Sequence, residues 1–247
     1  MIERETNDGI VTLRLAHGKA NALDVELLEA LIAALAAAAD ARAVILTAGG
    51  PIFSAGVDLF RLLDGGEAYV RRFFPLLTGF IRAVLAFPGP LVVASTGHAI
   101  AGGGVMLMGG DYRLMAEGNG RVGAPELLVG VPMPPAVLEL VRAVVPPHRL
   151  NALLYQGRTY LPHDALANGL IDEVVPADAL AARAHEVATQ LAALSPGAFR
   201  LTKHMLRAPV LERIAASAAE DEEALALWIA PETHARIRDY LAKTVRK

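Results

Sequence analysis

Apolar and polar residues alternate with a period of two along IVTLRLA, Ile10 to Ala16, which predicts a half-buried strand. HGKANAL then turns into VELLEALIAALAAAA, where apolar positions recur every three or four residues, a helix with Asp24 as its N-cap. AVILTA, Ala43 to Ala48, is a short β-branched run suited to a strand covered on both faces, and it feeds the Gly/Pro-rich loop GGPIFSAGVDL. An amphipathic helix follows over roughly 67–87, ended by PGP before the strand LVVAST. The segment GHAIAGGGVMLMGGDYR then opens another helix and passes into DYRLMAE, a further strand.

Beyond GAPELLVGVPMPP, the runs AVLELVRAVV and PHRLNALLYQG read as short helices, and LPHDALANGLIDEVVP as a helix, a turn at Gly169 and a strand ending at Pro176. From about Ala177 the pattern is helical to the end, with interruptions expected at SPG, at Pro209 and near Pro231. Strands thus alternate with helices over two thirds of the chain and helices alone fill the rest. This predicts an α/β core over 1–194 and a helical C-terminal extension over 195–247.

Composition narrows the class. Of 247 residues, 54% are hydrophobic and 20% charged, enough for a sizeable core. The net charge of −3, with no Lys/Arg cluster interleaved with aromatics, argues against a nucleic-acid partner. The absence of cysteine excludes disulfides, thiolate nucleophiles and cysteine-based metal sites. The start, MIERETNDGI, is polar where a secretory signal would be apolar, so a cytoplasmic location is expected. Ala83 to Gly110 carries no charged residue and is long enough to span a bilayer, but FPGP, STGH and GGG would break a single helix, and no membrane span is expected.

Two loops invite chemistry: FSAGVDL, Phe53 to Leu59, and IAGGGVM, Ile100 to Met106. A glycine inside a helix costs roughly 1 kcal/mol against alanine, so a run of them implies a close approach of main chain to something else, with a ligand as the first candidate. Each loop precedes a helix start, whose first N–H groups lack intrahelical acceptors. Two such N–H groups aimed at one oxygen would form an oxyanion hole. Ala55, Gly56, Gly102, Gly103 and Gly104 are small enough to let a carbonyl reach the backbone. The residues alone leave open the alternative that both loops merely turn tightly.

These loops, with GKANAL upstream, GAPELLVGV downstream and LTKHMLR near the end, resemble the enoyl-CoA hydratase/isomerase family, also called the crotonase superfamily, over nearly the whole chain. The resemblance implies a spiral of ββα units with C-terminal helices that assemble as a homotrimer or a dimer of trimers. It also implies an acyl-CoA thioester as substrate, with coenzyme A part of that substrate and no separate cofactor or metal. The implied oxyanion donors are the N–H groups of Val57, where family members usually have Ala, and of Gly103. Lys19, Ala20, Ala55, Gly56, Asp58, Leu59, Gly102, Met106 and Pro125 would line the substrate site.

A hydratase of this family carries two glutamates, one on the helix after the glycines and one in the PE position. Here the second is Glu126 and the first falls on Met106, which cannot move a proton. One carboxylate beside a stabilised enolate suffices to shift a double bond, so the pattern is similar to the single-glutamate Δ3,Δ2-enoyl-CoA isomerase branch, as are GDYR and LTKHMLR. A weak hydratase and a non-catalytic acyl-CoA-binding member are the alternatives. The dienoyl-CoA isomerases carry a further acid about eight positions after the main glutamate, where this chain has Pro134.

Other groups are weaker candidates. Asp111 and Glu139 could be replacement acids but read as structural, and His98 as a packed histidine beside a strand end. Ser54 lacks the glycine of a nucleophile elbow. Lys19, Arg61 and Lys203 are candidates for the CoA phosphates, and Asp58 is expected to cap the helix after the first loop.

Overall fold

The computed structural model describes residues 1–244. The chain opens on an antiparallel pair, β1 (Ile2–Asn7) and β2 (Ile10–Leu15), and continues through α1 (Val25–Ala37) to β3 (Ala43–Ala48), parallel to β2. Three times it then runs from a strand of a large sheet to a strand of a small sheet and into a helix. The first turn is β3, β4 (Ile52–Ser54) and α2 (Leu59–Ala86). The second is β5 (Leu91–Ser95), β6 (His98–Ile100) and α3 (Gly102–Met108), and the third is β7 (Tyr112–Ala116), β8 (Val122–Gly123) and α4 (Glu126–Val129).

There follow α5 (Pro135–Val144), α6 (Pro147–Leu154), β9 (Thr159–Tyr160), α7 (Pro162–Ala167), β10 (Glu173–Val175) and α8 (Leu180–Ala192). The large sheet has the order β1-β2-β3-β5-β7-β10 and the small one β4-β6-β8-β9. This is the spiral of ββα units, completed by α9 (Pro196–Ala216), α10 (Ala218–Ile229) and α11 (Pro231–Thr244). No described helix is long and apolar enough to cross a membrane.

The large sheet is covered on both faces because its strands carry apolar side chains on both. Leu13, Leu46, Val93 and Met115 face the core shared with α1, α2 and α3, while Ile45, Val92, Ala94 and Leu114 meet Leu180, Ala184, Val187 and Ala188 of α8. Asp24 caps α1, accepting from Leu27 N at 2.7 Å, as its position before the apolar periodicity predicts.

The fold departs from the sequence reading in three places. Residues 2–7, to which the periodicity assigns no element, form a strand although five of the six are exposed, because β1 pairs only at the sheet edge and buries almost nothing. The helix expected from about 67 begins at Leu59: Gly66, at φ 57°, breaks the helical geometry, and only its second half has the long amphipathic pattern. Pro209 does not interrupt α9, where Val210 and Ile214 are buried and tertiary packing outweighs the roughly 3 kcal/mol local cost of a helix proline.

Lys203 is a fourth correction. It is unsuited to CoA phosphates because it is buried, donating to Asp111 at 2.6 Å and to the Gly89 carbonyl at 2.8 Å. Asp111 also accepts from Leu91 N, so this pair ties α9 to the start of two central strands. Removing one member of a buried pair leaves the other charge uncompensated. Lys203→Met is therefore expected to cost about 3 kcal/mol in urea unfolding; a loss below about 0.5 kcal/mol would show that Arg207, 3.4 Å from Asp111, takes over the pairing.

Candidate active site

The first loop is aimed by a single bridge. Leu23 donates to the Gly56 carbonyl at 2.7 Å and accepts from Asp58 N at 2.9 Å, a parallel pairing that engages the residues on either side of Val57. In that geometry the N–H of Val57 itself points away from Leu23, and it meets no acceptor among the described residues. Gly56 N is held by Ser54 Oγ at 3.2 Å and Ala55 N by the Ala20 carbonyl at 3.0 Å, so the neighbouring donors are occupied.

The second loop supplies the start of α3. Its first intrahelical bond runs from Val105 N to the Ala101 carbonyl at 3.0 Å, which leaves the N–H groups of Gly102, Gly103 and Gly104 without acceptors four residues back. Ala101 stands at φ 52° and ψ −127°, a conformation costly for a residue with a Cβ and held in place by the surroundings.

The glycines answer to main chain before any ligand. A Cβ on Gly56, whose φ is 81°, would lie 2.7 Å from the Ile100 carbonyl oxygen and 2.9 Å from Gly102 N. On Gly104 it would lie 2.7 Å from the Gly123 carbonyl oxygen, and on Gly103 it would strike that of Ser54. The glycines let the two loops touch, and this contact brings the Val57 loop against the free N–H groups of α3.

Glu126 starts α4 directly after Pro125 and is only 7% exposed. Its Oε2 is buried without a hydrogen-bond partner. Burial pushes its carboxyl up to about 7, opposed in part by a bond from its own backbone N–H. It shares a cavity of about 70 Å³ with Ala55, Val57, Leu59, Ala101 and Pro125. No other carboxylate lines that cavity among the described residues. Of the free backbone donors, Val57 lines this cavity, whereas Gly102 and Gly103 at the start of α3 do not. A carboxyl poised near neutrality in the same cavity as a free backbone donor can give and take protons while negative charge on a neighbouring oxygen is stabilised.

The raised value links the site to stability. Between the ordinary value of 4.5 and about 7, the folded chain keeps a proton that the unfolded chain has released. Stability from this group is present below the lower value and lost as pH rises through the upper one, by up to about 3 kcal/mol. Glu126→Gln does not titrate, so it is expected to unfold at higher denaturant than the parent at pH 8 and close to it at pH 5. Equal differences at both pH values would mean that the carboxyl is not desolvated.

The remaining candidates lie elsewhere. Met106 is 1% exposed within the core and does not form a wall of the cavity. Asp58 caps α2, accepting from Phe60 N and Arg61 N. Arg61 is engaged by Asp24 at 2.8 Å and by Glu26, whereas Lys19 is exposed in the turn before α1. Glu139 is buried against Arg142 and Arg213, and His98 sits in β6. No group of three or more described His, Asp or Glu residues could hold a metal ion.

Sequence reasoning missed the walls that flank the two loops and Glu126, namely Ile100, Ala101, Val129 and Val131, and two that come from far along the chain. Trp228 of α10 and Tyr240 of α11 close the cavity from the C-terminal helices, which fold back over α2 and α4 of the same chain. Trp228 stands out as the chain's single tryptophan, but periodicity cannot reveal which helix returns over which loop.

Comparison with known proteins places the fold and the family. A mitochondrial enoyl-CoA delta isomerase 1 of Rattus norvegicus is 28% identical over 212 residues, covering 84% of this chain and 73% of its own. A probable enoyl-CoA hydratase of Mycobacterium avium is 38% identical over 180 residues, covering 69% of this chain and 67% of its own. The crystal structure of human mitochondrial delta3-delta2-enoyl-CoA isomerase superposes with a TM-score of 0.93 at 24% identity, over 99% of this chain and 98% of that one, a likeness of fold. Residues 5–236 match the family model described as enoyl-CoA hydratase/isomerase, so that with its ββα spiral, paired glycine loops and buried glutamate the chain belongs to the enoyl-CoA hydratase/isomerase family.

Proposed function

We propose that this acyl-CoA enzyme moves the double bond of a 3-enoyl-CoA thioester to the 2-position. The observation that carries the reading is the lone carboxyl of Glu126 in a cavity that holds no second acid among the described residues. In the proposed reaction the Glu126 carboxylate takes a proton from C2, and the electrons of the broken C–H bond pass into the thioester carbonyl. The N–H groups of Val57 and Gly103 bind the resulting enolate oxygen, each donor worth roughly 3 kcal/mol of transition-state stabilisation. The same carboxyl then returns its proton to C4 as the electrons of the former 3,4-double bond reorganise. The product is the conjugated 2-enoyl thioester, and no water is consumed.

Hydration is the second reading, favoured by the name of the mycobacterial relative. It requires a water held and deprotonated by one carboxylate while another group handles the proton at the adjacent carbon. Supplying the purified protein with 3-hexenoyl-CoA and, separately, 2-hexenoyl-CoA distinguishes the two. Growth of conjugated-thioester absorbance from the first substrate supports isomerisation; its disappearance from the second, with none formed from the first, supports hydration. Self-association belongs to the same proposal, with Leu201, Met205 and Leu206 of α9 as an exposed apolar face.

A further inference from the structure

We infer that Trp228 is a fixed stop for the acyl tail, which limits this site to short-chain thioesters. The inference rests on the acyl-CoA reading of the cavity and adds to it the length of chain that the cavity accepts. With the thioester oxygen at Val57 and C2 to C4 beside Glu126, the walls left to meet the tail include Val129, Val131, Trp228 and the half-buried Tyr240, and the tail is taken to run toward Trp228. The whole cavity measures about 70 Å³. Sites that engulf drug-sized ligands measure about 300–1,000 Å³, so this one suits an acyl group of only about four to six carbons.

Trp228 cannot readily step aside. It is 1% exposed, its ring stacks on Phe73 with centroids 6.3 Å apart, and it meets Phe74 edge-on at 5.7 Å. Its Nε1–H donates to the Pro132 carbonyl at 2.9 Å. Swinging the indole out would break that bond and both aromatic contacts at once, and leave a buried carbonyl without its donor. The wall beside it, Val129 and Val131, is also buried and belongs to the short segment that carries Glu126. Lengthening the cavity on the side of Trp228, Val129 and Val131 would therefore disturb the catalytic carboxyl or the core.

Saturated acyl-CoA thioesters test this without relying on turnover. Butyryl-, hexanoyl-, octanoyl- and decanoyl-CoA are titrated by calorimetry, and the emission of Trp228, the single tryptophan of the chain, is followed in parallel. The expected result is tightest binding of butyryl- or hexanoyl-CoA, an emission change when hexanoyl-CoA binds, and at least tenfold weaker binding of decanoyl-CoA. Trp228→Leu, checked for folding by circular dichroism, is expected to bring decanoyl-CoA within about threefold of hexanoyl-CoA. Affinity that rises steadily through decanoyl-CoA, an indole emission unmoved by hexanoyl-CoA, or a folded Trp228→Leu that keeps the cut-off overturns the inference. If Trp228→Leu does not fold, the wild-type series and its emission decide alone. A cut-off with no conversion of any 3-enoyl-CoA leaves the stop in place and removes the isomerase reading instead.

Discussion

Replacing Glu126 with glutamine is expected to lower kcat for isomerisation of 3-hexenoyl-CoA by about 10³-fold, within the 10²–10⁴ that a positioned acid–base group contributes. The substitution keeps size and burial and removes only the ability to exchange a proton, so KM should change by less than about threefold. The effect is large because one carboxyl serves both proton transfers and no second acid lines the cavity among the described residues. The parent should also lose activity as pH falls below about 7, the value to which burial pushes this group, because the base must be ionised to start the reaction. Measured turnover of Glu126→Gln within tenfold of the parent would remove Glu126 from the mechanism.

The second large effect concerns the backbone. Gly56→Ala is expected to lower kcat by at least about 10², the loss typical of one oxyanion donor, and to cost about 3 kcal/mol of stability. At φ 81° a side chain is strained, and its Cβ would stand 2.7 Å from the Ile100 carbonyl oxygen and 2.9 Å from Gly102 N, all rigid main chain. The loops must part, which carries the adjoining Val57 N–H away from the start of α3. Denaturant unfolding beside kinetics is the check. A variant that keeps both stability and kcat would show that the two loops need not touch. Gly18→Ala is the control: its Cβ would meet nothing within 4 Å, so only its left-handed φ of 58° is penalised and kcat should hold.

Much of this architecture is legible before folding. β2, β3, β5 and β7 follow from alternating or continuous apolar runs, and α1 from its periodicity behind Asp24, because each signal is local and strong. The small sheet is nearly illegible. Its strands have two or three residues and are stabilised by pairing with segments distant in sequence, as when β4 pairs with β6, so no window contains their cause. The candidate chemistry divides in the same way. The glycines and Glu126 can be picked out by residue type and resemblance, but the packing that makes those glycines necessary cannot, since Gly56 answers to Ile100 and Gly104 to Gly123.

The sequence by itself determined that a strand–helix alternation would be followed by helices, that two small-residue loops would precede helix starts, and that an acid stands after GAP while methionine stands after the glycines. These are properties of neighbouring residues, set by propensity, periodicity and functional-group identity. Only the tertiary structure decided that Glu126 is desolvated enough to titrate near neutrality, that Lys203 is spent on Asp111, and that Trp228 returns from the C-terminal helices to close the cavity. Desolvation, charge pairing and cavity shape arise from atoms brought together across many tens of residues. They depend on which surfaces exclude water from one another, a quantity the order of residues specifies only through the completed fold.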